Sequence, residues 1–317
     1  MSEHFIKNIE IKNFKCFDDF KAEGFGRVNL IGGKNNVGKT AFMEAICIDA
    51  SSQNISNMLF AILMIERSRN FLNLFNKEID VIAMLEKYKS FDIIGNNNIQ
   101  YRFNDKAINQ TLTIALNEIK EAIYFNSKIN FIDNKNVIFI DNYGFNNEKL
   151  KNIYATVARK DKENVLNRYI NEFDNSIEKF KIPYEDPECK LTNSKEYRKI
   201  NEFGDGLKHY ISIICSLYAS ENGYLFIDEI DNGIHYTQLD KLWEIILTLS
   251  KEQNVQVFAT THSKECIESY ARVAKKLEDE EIRFIELGRD NDKITSIVYE
   301  YDEIIHQVEE HQDIRGW

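Results

Sequence analysis

Apolar and polar positions change rhythm several times along the chain, and each change marks an element. Over residues 5–17, Ile9 and Ile11 alternate with Glu10 and Lys12, the period-two signature of a half-exposed strand. A Gly24-Phe25-Gly26 turn leads into Val28-Asn29-Leu30-Ile31, a short apolar run that reads as a buried strand. Ala41-Phe42-Met43-Glu44-Ala45-Ile46 then opens a helix with apolar residues on one face. From Ile55 to Lys89 the period is helical, with Met58, Leu59, Ile62, Leu63, Ile65, Leu72, Leu74 and Phe75 available for burial. Gly95-Asn96-Asn97-Asn98 predicts a turn. Strands are expected over Ile99–Phe103, Thr111–Leu116, Ala122–Phe125 and Val137–Ile140, the last a continuous apolar run suited to a main sheet. Asn146 to Lys181 carries helical spacing and Pro183 to Asn193 reads as a loop.

The last third alternates strand and helix. A loop and then a helix span Arg198 to Ser220, with a strand at Tyr224–Ile227, a helix at Leu239–Leu249 and a strand at Val255–Ala259. A helix at Ile267–Glu280 precedes a hairpin of Ile282–Leu287 and Ile294–Tyr299 across Arg289-Asp290-Asn291-Asp292. This alternation argues for an α/β fold with a mostly parallel sheet and helices on both faces.

Composition adds bounds. The 317 residues suffice for one large α/β domain or a core domain with an inserted lobe. Only 2 prolines and 13 glycines argue against long linkers. A net charge of −11 gives no general attraction for nucleic acid, although a local basic groove can work against an acidic background. On the helical stretch, Lys149, Lys151, Arg159, Lys160, Lys162 and Arg168 form such a face, either solvated or turned to DNA. Cys16, Cys47, Cys189, Cys215 and Cys266 are scattered with no C-x-x-C pair, which predicts reduced thiols in a cytoplasmic protein and neither zinc site nor disulfide framework. Neither a signal-peptide layout nor a membrane segment is expected; the longest apolar run, Met58 to Ile65, is too short to span a bilayer.

The chemistry gathers at Gly33-Lys34-Asn35-Asn36-Val37-Gly38-Lys39-Thr40, followed by Ala41, which fits G-x-x-x-x-G-K-[ST] without a mismatch between a strand and a helix. Glycines let backbone N–H groups turn on a polyphosphate, and the helix N-terminus adds partial positive charge. In this pattern Lys39 reaches the β- and γ-phosphates of ATP, and Thr40 supplies a hydroxyl to Mg²⁺. Tyr224-Leu225-Phe226-Ile227-Asp228-Glu229 is an apolar strand ending in two acids: Asp228 suits the Mg²⁺ shell and Glu229 a general base. Ala259-Thr260-Thr261-His262-Ser263 ends the next apolar strand, which places His262 beside those acids, where it can hydrogen-bond the γ-phosphate or orient the water. Gly204-Asp205-Gly206 is a glycine turn at the start of a helix and a second candidate anion site.

In this order, a phosphate loop, a long insertion, a glycine signature, a strand ending in Asp-Glu and a late histidine resemble the ABC-type ATPase heads, closest to the branch of SMC, RecF and the OLD (overcoming lysogenization defect) AAA-type ATPases. Asp228-Glu229-Ile230-Asp231-Asn232-Gly233-Ile234-His235 is similar to the Asp-Glu-x-Glu/Asp-x-Gly-x-His run of the OLD-like members. The resemblance implies a phosphate-loop head over residues 1–50 and 200–317 and an inserted, mainly helical lobe over 51–199. It implies a head-to-head dimer sandwiching two ATP molecules, with Gly204, Asp205 and Gly206 facing the partner's γ-phosphate, Glu229 the catalytic base, and His262 the switch. The chain departs from the pattern in three places. Gly204 stands where a signature serine is usual, His235 falls where transporter heads have an aspartate, and no glutamine loop can be placed, Gln100 and Gln110 being the nearest candidates.

Two functions follow as expectations. The first is an ATPase subunit of a prokaryotic anti-phage defence system that controls a separate nuclease or toxin effector, since the stretch after Glu281 is too short for a nuclease domain. The alternative is a RecF- or SMC-like ATPase that closes on DNA in repair or genome maintenance, which requires a basic seam. A transporter subunit fits poorly, and Asn76-Lys77-Glu78-Ile79 does not complete a guanine-reading Asn-Lys-x-Asp.

Overall fold

The computed structural model describes residues 2–69, 81–104, 110–124, 131–142 and 144–310. The alternating N-terminal stretch becomes a hairpin of β1 (Asn8–Phe14) and β2 (Phe17–Glu23). Strand β3 (Val28–Gly33) is buried along its whole length and runs through the glycine loop into α1 (Lys39–Ser51). Helices α2 (Ile55–Arg69) and α3 (Val81–Glu86) precede four antiparallel strands: β4 (Ser90–Ile94), β5 (Asn98–Asn104), β6 (Thr111–Leu116) and β7 (Ile119–Tyr124). Leu72, Leu74, Phe75, the Asn76–Ile79 run and Phe125 lie outside the described residues.

Then come β8 (Val137–Ile140), α4 (Asn147–Arg159), α5 (Glu163–Phe173), β9 (Ile177–Lys181), β10 (Glu188–Leu191) and β11 (Tyr197–Lys199). The C-terminal third is α6 (Asp205–Ala219), β12 (Tyr224–Ile227), α7 (Leu239–Glu252), β13 (Gln256–Thr260), α8 (Lys264–Leu277), β14 (Ile282–Asp290), β15 (Lys293–Tyr299) and α9 (Tyr301–Glu309). Asn291 and Asp292, both at positive φ, make the tight β14–β15 turn, and both strands run further into it than the hydrophobic pattern suggests.

The main sheet has the order β15-β14-β3-β13-β12-β8, parallel except for β15. Its inner strands β3, β13 and β12 are buried on both faces, and successive residues feed different cores. Tyr224 and Phe226 face α1, whereas Leu225 and Ile227 pack with α6, α7 and α8. The second sheet, β2-β1-β4-β5-β6-β7, covers the opposite side of α1. Lying between two sheets, α1 buries every residue except Thr40, rather than the single apolar face its sequence suggests.

The segment 51–199 is richer in strands than its helical periodicity implies. Strands β4 to β7 extend the sheet begun by β1 and β2, and β8 takes the edge of the main sheet. The β4–β5 turn is fastened to α1 itself: Asp49 accepts the N–H groups of Asn96 and Asn97 at 2.9 Å each. Two local expectations change. Ile177 to Lys181 leaves the helical stretch as β9, and Glu188 to Leu191, read as loop, is β10 between β9 and β11. All five cysteines are free. Among the described residues, no helix is long and apolar enough to cross a membrane.

Candidate active site

The glycine loop turns on three left-handed residues, Gly33 (φ 140°), Asn36 (φ 61°) and Gly38 (φ 106°). A Cβ on Gly33 would come within 2.5 Å of the Leu287 carbonyl on β14, so the close approach of two backbones, as well as φ, requires glycine there. Lys34, Asn35 and Asn36 are exposed at the tip while Val37 and Ala41 are buried. No side chain caps α1 at Gly38, which leaves its first-turn N–H groups for an anion.

Lys39 reaches back over the loop. Its Nζ donates to Gly33 O at 2.7 Å and Lys34 O at 3.0 Å and meets His262 Nδ1 at 2.9 Å. Burial pulls the Lys39 ammonium down to about 8, against the upward pull of Asp228 and Glu229. Thr40 Oγ1 lies 3.1 and 3.2 Å from the two Asp228 oxygens. That pair suits Mg²⁺, a hard cation that takes one or two protein oxygens and leaves the rest of its octahedron to water and phosphate. Among the described residues, no group of three His, Cys, Asp or Glu side chains is placed to hold a metal ion.

Strand order brings the remaining groups in. β13 lies between the phosphate-loop strand β3 and the acid strand β12. The residues leaving β13 therefore stand between Lys39 and Glu229. His262 Nε2 faces Glu229 Oε1 at 3.5 Å, and both side chains are 41% exposed, open to a substrate. Glu229 has φ 52°, left-handed for a non-glycine residue, a conformation costing roughly 1–2 kcal/mol. Thr260, which the sequence reading passed over, holds it: Thr260 Oγ1 accepts the Glu229 N–H at 2.8 Å and donates to Asp228 Oδ1 at 2.7 Å. Thr261 Oγ1 donates to Asp231 at 2.7 Å, and Ser263 caps α8 by accepting the Cys266 N–H.

The glycine turn before α6 packs against the loop that leaves β12. Gly206 is packed on the chain that follows Glu229, and a Cβ there would lie 1.9 Å from Gly233 O. Gly204 (φ 87°, ψ 163°) has nothing within 4 Å of its Cβ direction, and Asp205 is exposed. The turn borders a separate cavity of about 550 Å³, lined by Phe173, Asp174, Gly206, Gly233, His235 and Gln238. Gln100 lies mid-strand in the antiparallel sheet, paired opposite Asp92 and Ala115. The segment that emerges beside Asp228 is instead the one after Ile140, whose carbonyl accepts the Asp228 N–H at 2.9 Å. Of the basic face on α4 and α5, two members point inward: Lys149 Nζ donates to Phe139 O, and Lys160 Nζ to Tyr218 O and Glu221.

Residues 28–268 match a family described as "AAA domain, putative AbiEii toxin, Type IV TA system". A protein of Helicobacter pylori described as an ATP/GTP phosphatase is 27% identical over 329 residues, covering 86% of this chain and 89% of that one. An uncharacterised protein of Methanocaldococcus jannaschii is 33% identical over 101 residues, 32% of this chain and 88% of that protein. Two solved structures share the fold. An SMC head bound to the C-terminal winged-helix domain of ScpA has TM-score 0.56 and 13% identity, covering 94% of this chain and 99% of that chain. A Pyrococcus furiosus SMC head with an extended coiled coil, bound to the C-terminal domain of ScpA, has TM-score 0.52 and 12% identity, covering 97% and 99%.

Proposed function

The chain belongs to the AAA-domain family matched over residues 28–268, and on that premise we propose that it works as a nucleotide-driven dimer controlling a separate effector protein in prokaryotic anti-phage defence. It is an ATPase with an ABC-type head. Lys39, Thr40 and the backbone of Gly33 to Ala41 would hold the polyphosphate of ATP, with Thr40 and Asp228 holding Mg²⁺. Bound there, Mg²⁺ would neutralise negative charge on the phosphate oxygens. Glu229 accepts a proton from water as its oxygen attacks the γ-phosphorus, and the bond to the β–γ bridging oxygen breaks to leave ADP and phosphate. His262 orients the water and the γ-phosphate between Lys39 and Glu229. The observation that carries this reading is the contact chain Lys39–His262–Glu229, which joins the phosphate grip to the base.

The dimer is supported by the position of Gly204-Asp205-Gly206. Gly204 and Asp205 are exposed, and nothing lies within 4 Å of the position a Gly204 Cβ would take, as a contact for a partner's γ-phosphate requires. The family's description, which names an AbiEii toxin and a type IV toxin–antitoxin system, supports the defence setting. Light scattering on Glu229→Gln with ATP and Mg²⁺ tests the dimer: a twofold rise in mass is expected, and a monomer at saturating ATP contradicts it. Co-expression with the neighbouring gene under phage challenge tests the role. Tight DNA binding with a steep salt slope would instead favour the clamp reading.

A further inference from the structure

We propose that Thr260 is a positioning residue of the hydrolytic site, setting Asp228 and Glu229 in place through a single hydroxyl. This rests on the roles assigned above to those two acids. Thr260 is the last residue of β13 and is 1% exposed. Its Oγ1–H donates to Asp228 Oδ1 at 2.7 Å, and a lone pair of the same oxygen accepts the Glu229 N–H at 2.8 Å. Its carbonyl accepts the Ile230 N–H at 3.0 Å. Three consecutive residues leaving β12 are thus held by one threonine on the neighbouring strand.

The arrangement meets two needs. Glu229 sits at φ 52°, and a non-glycine residue persists in that region only when its surroundings over-determine it. The bond from Glu229 N–H to Thr260 is one such constraint, and it sets where the Glu229 carboxylate starts from the backbone. Asp228 Oδ1 receives Thr260 at 2.7 Å and Thr40 at 3.1 Å, so the Thr260 hydroxyl fixes the rotation of the carboxylate toward Thr40. A hydroxyl both donates and accepts, and both capacities are used here. Valine has nearly the same shape and can do neither. Serine keeps both.

The test compares Thr260→Val, Thr260→Ala and Thr260→Ser with Glu229→Gln in the full chain. It reads kcat and KM for ATP, binding of mant-ATP with and without Mg²⁺, and the melting temperature. Valine and alanine are expected to lower kcat by about 10- to 100-fold and to raise KM for ATP in the presence of Mg²⁺, since a buried N–H and a carboxylate oxygen lose their partner. They are also expected to bind mant-ATP normally without Mg²⁺ and to lose most of the tightening that Mg²⁺ brings. Serine restores both properties. A valine variant with parental kcat and Mg²⁺ response overturns the proposal. So does a serine variant as impaired as valine, because the methyl group would then be what matters. Failure of both valine and alanine variants to fold overturns it as well, leaving Thr260 a purely structural residue. Normal turnover in Glu229→Gln removes the assignment of the acids and this inference with it. Lost turnover there, with normal turnover in Thr260→Val, removes only the role of Thr260.

Discussion

Lys39 Nζ lies 2.9 Å from His262 Nδ1, although 223 positions of chain separate the two residues. A lysine ammonium has only donors to offer, so the ring accepts at Nδ1 and carries its proton on Nε2, the nitrogen that faces Glu229. One imidazole therefore joins the cation of the phosphate loop to the acid at the end of β12. Under the proposed function, a γ-phosphate held by Lys39 would compete for the donor that His262 now accepts.

Glu229→Gln preserves shape and removes the proton acceptor. Turnover is expected to fall by about 10²- to 10⁴-fold with ATP binding retained. Phosphate release measured beside nucleotide affinity checks this, and turnover near the parental rate takes the base role away from Glu229.

ATP binding should weaken as pH rises through about 8, where the buried Lys39 ammonium loses its proton. Phosphate contact stabilises the charged form, so binding near that pH should take up protons, which calorimetry in buffers of different ionisation heat reads directly. Affinity independent of pH across this range contradicts the assignment. Stability moves the other way. Unfolded Lys39 titrates near 10.5, so between about 8 and 10.5 the unfolded chain binds more protons, and the burial cost fades as pH rises through that window.

The two glycines before and within α6 should respond differently. Gly206→Ala puts a methyl group into Gly233 O and must push α6 away from the chain that follows Glu229. Stability and turnover are expected to drop together, seen in melting temperature and phosphate release. Gly204→Ala meets no neighbour and carries only backbone strain at φ 87°, ψ 163°, roughly 1–3 kcal/mol. Equal effects on folding from the two substitutions contradict this account.

Arg27 opens β3's approach to the loop from a buried position, paired with Asp279 and donating to Glu281 at 3.1 Å and Leu247 O at 3.1 Å. Asp279→Ala leaves a buried guanidinium short of its partner, and a loss of about 3–5 kcal/mol in denaturant unfolding is expected. A loss under about 1 kcal/mol would mean that Glu281 compensates.

Parts of the fold were legible because their chemistry is local. The β14–β15 hairpin follows from adjacent turn residues, and β12 and β13 from short apolar runs ending in polar groups. β9 was not legible: Ile177 and Phe180, three residues apart, satisfy a helical period as well as a five-residue strand, and only pairing with β10 decides. The inward turn of Lys149 and Lys160 was hidden for a similar reason, since a long side chain's direction depends on which acceptors the fold brings near.

By itself the sequence determined that Gly33 to Thr40 is a phosphate loop, because strand, glycines, lysine and helix are contiguous and the chemistry needs them so. It also marked Asp228, Glu229 and His262 as polar groups at strand ends. The spacing from Asp228 also set His262 on a neighbouring strand end beside the acids, but the position of that strand relative to the phosphate-loop strand was decided by the tertiary structure alone. Fully apolar strands buried on both faces carry no mark of their order, and only the packed sheet sets β13 between β3 and β12. That order places His262 between Lys39 and Glu229. It also turns Thr260, by sequence an ordinary β-branched residue at a strand end, into the hydroxyl on which both acids hang.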